Sequence, residues 1–66
     1  MKTIYWNIAT EMQKQKMTKK ELAKILKISN VSLYNKLTGK QEWKVREIEI
    51  LMNLFNQDFE YLIKTI

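Results

Sequence analysis

Three side chains within six residues of this sequence suit the edges of base pairs. Asn30 and Asn35 each carry an amide with a donor beside an acceptor, the pattern that bonds an adenine edge twice. Val31 offers a small branched apolar surface that fits a thymine methyl. Around them stand groups suited to phosphate oxygens: Thr18, Lys19, Lys20, Ser32, Tyr34, Lys36, Lys40 and Gln41. Residues 30–37 contain no arginine to take guanine, so the chemistry of the set favours A·T pairs. Plainer roles exist for each. Asn30 also suits helix capping, Val31 also suits packing, and a single lysine is often no more than a solvated charge.

Residues 18–39, TKKELAKILKISNVSLYNKLTG, hold the elements that must position these groups. Leu22, Ala23, Leu26, Ile28, Leu33 and Leu37 fit the inward faces of two short helices joined by a tight turn. Asn30, Val31, Tyr34, Asn35 and Lys36 then fall on the outward positions of the second. This is the layout of a helix-turn-helix, whose first helix lies on the DNA backbone and whose second enters the major groove. Thr18 followed three residues later by Glu21 forms a capping box and predicts a helix over 19–26. Its first turn offers free amides and partial positive charge, a natural seat for phosphate. Ser29 is a good N-cap for a helix over 30–37, and Gly39 supplies a left-handed residue to close it.

Charge is segregated along the chain. The net charge is +5, but the stretch from Lys14 to Arg46 holds ten basic residues against two acids, Glu21 and Glu42. The remainder sets Lys2 and Lys64 against Glu11, Glu47, Glu49, Asp58 and Glu60. Such a chain offers one face to a polyanion and turns another away. Charge alone also fits a lysine-rich solvated surface; its overlap with the helix pair is what favours DNA.

With no proline and one glycine, the sequence reads as helical almost throughout. Ile4, Ile8 and Met12, with Ala9, predict a first helix over about 3–15. KQEWK at 40–44 predicts a loop whose Trp43 tucks toward the core, and Tyr5 and Trp6 read as partial core. Ile48, Leu51, Met52 and Phe55 give the spacing of a fourth helix over 45–55. After a break at 56–58, Phe59, Leu62, Ile63 and Ile66 form the stripe of a fifth. One all-α domain spanning residues 1–66 is expected.

Sixty-six residues form a small core that seldom supplies more than about 3–5 kcal/mol, so supplements are usual. Without cysteine or histidine, disulfides and thiolate or imidazole zinc sites are excluded, and no cofactor is expected. Self-association remains, and a homodimer is predicted. Ile50 and Leu54 lie off the main stripe of the fourth helix, and Tyr61 and Ile66 off that of the fifth. These four are the expected dimer contact, and truncation after Gln57 is expected to leave a monomer. The alternative is that Ile50 and Leu54 pack on the final helix. No membrane-length apolar run or signal segment is visible, and a cytoplasmic protein is expected.

IATEMQKQKMTKKELAKILKIS, NVSLYNKLTGK and EIEILMNLFNQDFEYLI together resemble the lambda-repressor-like, Cro/C1-type helix-turn-helix family, above all its small phage-associated members. The resemblance covers residues 8–63, about four-fifths of the chain. It implies a compact five-helix domain that binds a double-stranded DNA operator, usually as a two-fold dimer, and regulates transcription as a repressor or Cro-like protein. Two positions depart from the family pattern. Lys27 stands in the turn where glycine is common, at a cost of about 1 kcal/mol if left-handed. Lys36 stands where many members bury an aliphatic residue, and its ammonium is expected in solvent or near phosphate.

Enzymatic chemistry is disfavoured by scattered carboxylates and the lack of histidine, cysteine or a glycine-rich phosphate loop. The competing reading is a protein-interaction module, an antirepressor or modulator that binds a partner repressor. Outward polar residues on the third helix favour DNA over that role. The antitoxin of a toxin–antitoxin pair is disfavoured by the lack of room for a toxin-binding segment.

Overall fold

Ile8, Met12, Leu22, Ala23, Leu26, Leu33, Leu37, Ile48, Leu51, Phe55 and Leu62 turn inward from five helices to form one buried cluster. In this computed structural model, which describes residues 3–65, the helices are α1 (Trp6–Lys14), α2 (Lys19–Leu26), α3 (Asn30–Leu37), α4 (Val45–Phe55) and α5 (Phe59–Ile63). Among the described residues there is no strand, and no helix is long and apolar enough to cross a membrane. The molecule measures 25 × 24 × 22 Å.

Local chemistry sets most boundaries. Thr18 Oγ1 accepts from the Glu21 amide at 3.1 Å while Glu21 Oε1 accepts from the Thr18 amide at 2.8 Å, closing the capping box expected for α2. Ser29 Oγ accepts from the Ser32 amide at 3.0 Å, and Asp58 Oδ1 from the Tyr61 amide at 2.9 Å, starting α3 and α5. Lys27 ends α2 in the left-handed region at φ 59°, the conformation in which a turn lysine is costly relative to glycine. Gly39 is left-handed too, at φ 87°, and a Cβ there would meet Ile4 Cδ1 at 2.7 Å. Glycine meets both demands without strain or displacement of Ile4.

Helices α2, α3 and α4 stand where the sequence places them; the outer two are shorter. Instead of joining α1, Ile4 and Tyr5 donate their amides to the Leu37 carbonyl, at 2.9 and 3.4 Å. The chain start thus caps the end of α3. Helix α5 has five residues, too few to bury a long stripe: Leu62 is fully buried, but Phe59, expected inward, is 47% exposed. Trp6 is also exposed rather than partial core. Trp43 is half-buried and meets Tyr5 edge to face, with ring centroids 6.0 Å apart.

Candidate nucleic-acid interface

Helices α2 and α3 pack on one another through Leu22, Ala23, Leu26, Leu33 and Leu37, joined by the three residues Lys27–Ser29. That packing fixes which face of α3 is free. Asn30 and Val31, the first two residues of α3, are exposed, Val31 by 69%. Asn35 lies one turn on and is half-buried, while its carbonyl accepts the amides of Lys40 and Gln41 at 2.8 and 3.1 Å. The same bonds fold the exposed Lys40 and Gln41 back beside the end of α3.

The expected phosphate donors fall into two groups. At the start of α2, Thr18, Lys19 and Lys20 are all exposed. Although Thr18 Oγ1 is used as an acceptor, its hydroxyl hydrogen remains to donate. Lys19 Nζ sits 5.9 Å from the centre of the Tyr34 ring, within cation–π reach. One phosphate could therefore meet an α2 ammonium and the phenol of α3 together. Ser32, half-buried, lies on the same helix. The second group is Lys40 and Gln41, to which the structure adds Lys44, exposed at the N-cap of α4. In the sequence Lys44 counts only toward the basic stretch, because it lies on the far side of the loop from the helix pair.

An acid sits in the first group. The Thr18 amide, donating to Glu21, holds the Glu21 carboxyl below its usual range, so it is an anion at neutral pH. It offsets part of the positive end of α2. Cationic character there rests on Lys19 and Lys20 more than on the helix terminus alone.

Lys36 requires a correction. It is neither outward nor near solvent: it is 4% exposed, and its ammonium pairs with the carboxylate of Glu47, itself 1% exposed, on α4. The position is occupied by a buried cation because α4 supplies a buried anion. Burial pushes the Glu47 carboxyl up, but the Lys36 ammonium and the Lys44 amide, at 2.9 Å, outweigh it and hold the group below its usual range. Lys36 therefore is no phosphate ligand; it holds α3 to α4. Arg46, the neighbour of Glu47, donates Nη2 to the Leu26 carbonyl at 2.9 Å, satisfying the end of α2. One turn of α4 thus secures both helices of the pair.

The described residues of the expected dimer contact have neighbours within the chain. Ile50 and Leu54 are half-buried and pack against the core. Tyr61 is half-buried, with its hydroxyl donating to Glu11 at 2.9 Å and its carbonyl accepting from Asn7 at 2.8 Å. Ile66 lies outside the described residues. Removal of everything after Gln57 would also take away the fully buried Leu62, so that truncation tests core integrity rather than association.

Compared with known proteins, the chain matches no family model, and no curated protein or solved structure shows significant similarity to it.

Proposed function

We propose that this protein binds double-stranded DNA sequence-specifically and regulates transcription, inserting α3 into the major groove of an operator as a lambda-repressor-like helix-turn-helix domain does. The observation that carries this reading is the free first turn of α3. Asn30 and Val31 stand open on a helix whose opposite face is fixed by Leu33, Leu37 and the Lys36–Glu47 pair. Exposed lysines stand at the start of α2, at 19 and 20, and beyond the end of α3, at 40 and 44. Asn30 and Asn35 take adenine edges and Val31 a thymine methyl. Thr18, Lys19, Lys20, Ser32, Tyr34, Lys40 and Gln41 fix register on the phosphates.

Titration against the intergenic DNA flanking the gene, with random duplex as competitor, tests the reading. Binding is expected to survive competitor and, with roughly 6–10 phosphate contacts per dimer, to weaken ~10³–10⁵-fold between ~50 and ~200 mM salt. Asn30→Ala is expected to cost ~1–3 kcal/mol at one base position, whereas Lys20→Ala weakens all sequences alike and flattens the salt slope. Binding no tighter than to random DNA would discard the operator reading in favour of a module that binds a partner repressor.

A further inference from the structure

Helix α1, the turn into α2 and the end of α3 leave a cavity of about 440 Å³ between them, within the size range of small-molecule sites. Its apolar wall is Ala9, Met12, Met17 and Leu37, drawn from three separate parts of the chain. Backbone bonds fix those parts: the Met17 amide donates to the Met12 carbonyl at 2.8 Å, and the Ile4 amide to the Leu37 carbonyl at 2.9 Å. The rim carries two exposed cations, Lys16 and Lys19, and neither is in an ion pair among the described residues. Lys16 stands there at φ 53°, a left-handed conformation that favours glycine. Among the described residues no acid lines the cavity, and Glu21, two positions after Lys19, accepts from the Thr18 amide. The groove beside Trp43 differs in charge, since Glu42 lies among its lining residues.

We propose that this cavity binds a small amphipathic carboxylate, with its hydrocarbon body against the methionine-rich wall and its anionic end at Lys16 and Lys19. Charge and size select that occupant. A cationic amphiphile would meet two like charges at the rim. A partner's α-helix, ~10 Å across with its side chains, is too wide to enter. Methionine suits such a wall, because an unbranched thioether adapts to ligands of differing shape. Pockets of this kind are mostly apolar with a few placed polar groups, and this one has that composition.

Lys19 has a second use. Its ammonium lies 5.9 Å from the centre of the Tyr34 ring, at the seat proposed for a phosphate. A carboxylate that draws Lys19 to the cavity withdraws it from that phosphate. Ligand and DNA then compete for one cation, and each weakens the other's binding by the same factor. This consequence rests on the DNA reading; the carboxylate site does not.

Isotopic labelling of the methionine methyl groups in the full chain tests the proposal by NMR, since Met12 and Met17 line the cavity and Met52 does not. Titrated with octanoate in the absence of DNA, the Met12 and Met17 signals are expected to move saturably while Met52 stays. Half-saturation is expected on the order of 0.1–1 mM for a ligand of that size. Octylammonium, the same chain with the opposite charge, is expected to move neither. Lys16→Ala and Lys19→Ala each weaken octanoate ~2–5-fold, and Ala9→Phe, which fills the cavity, abolishes its binding. Since Ala9→Phe also alters packing, the two exposed lysines keep the test independent of folding. A titration that never saturates overturns the proposal, as do equal shifts at all three methionines, equal binding of octylammonium, or lysine variants that take octanoate normally. With DNA present, saturating octanoate is expected to weaken operator binding ~2–5-fold; no effect on a tight operator complex would remove the competition. Saturable octanoate binding by a chain that ignores DNA would sink the operator reading and leave the carboxylate site standing.

Discussion

Glu47 on α4 and Glu11 on α1 are both buried carboxylates that tie helices together, yet they are partnered differently. Glu47 faces the buried ammonium of Lys36, so anion and cation were taken out of water together. Glu11 gathers three donors on Oε2: the Tyr61 hydroxyl at 2.9 Å, the exposed Lys14 ammonium at 3.2 Å and the Gln57 amide at 3.4 Å. Two of those donors are neutral and the third is hydrated. The helix pair side of the molecule is thus clamped by a desolvated ion pair, and the α1–α5 side by a charge-assisted hydrogen-bond cluster. A broken ion pair strands a buried charge; a thinned cluster strands none.

The sharpest way to break the contrast is Glu47→Ala. It leaves the Lys36 ammonium buried and unpaired, at a cost of about 3–5 kcal/mol, comparable to the whole stability of so small a domain. Circular dichroism at 25 °C is expected to show a largely unfolded chain. The pair Lys36→Met with Glu47→Leu is expected to recover the fold, since replacing both ions by apolar groups is commonly neutral or stabilising. Poor recovery in the double variant would mean that Glu47 matters for more than its partner.

Acid titration reads both carboxylates at once. Burial raises each, but donors outweigh it: Tyr61 and Lys14 at Glu11, Lys36 and the Lys44 amide at Glu47. Both folded values lie below the ordinary one, so their stabilisation is fully present above about pH 4.3 and is lost as pH falls below it. Urea midpoints are expected to be level above that value and to drop beneath it. Glu11→Gln, whose amide oxygen still accepts from Tyr61, is expected to cost ~1 kcal/mol at neutral pH and to make the acid decline shallower. An unchanged acid limb would remove Glu11 from the account.

The smallest effect has the opposite sign. Lys27→Gly relieves a left-handed lysine and is expected to add up to ~1 kcal/mol, a rise of about 4–8 °C in melting temperature per kcal/mol at this size. No rise would mean that the turn carries no strain worth relieving.

Features whose cause lies within a few residues were legible in the sequence. The Thr18–Glu21 box, the Ser29 cap, the glycine at 39 and the bounds of α2 to α4 depend on neighbours along the chain. What stayed hidden depends on elements brought together from afar. Lys36 reads as a surface lysine until α4 places Glu47 against it, eleven positions later. Tyr61 reads as spare apolar surface until Glu11, fifty positions earlier, takes its hydroxyl. Phe59 fits an apolar stripe by spacing, but α5 is too short to turn both ends of the stripe inward. Of the candidate interface, exposure at Asn30, Val31, Lys19, Lys20, Lys40 and Gln41 agrees with the reading from residue types.

The first turn of α4 also governs how the molecule opens. Since Arg46 and Glu47 hold the ends of α2 and α3, the helix pair has no route to separate opening that spares both contacts. Backbone amides in α2, α3 and the start of α4 are expected to exchange with solvent deuterium through one shared event. Those of the five-residue α5 are expected to exchange sooner, by fraying. The helices proposed to read DNA are therefore the part of this chain that moves last.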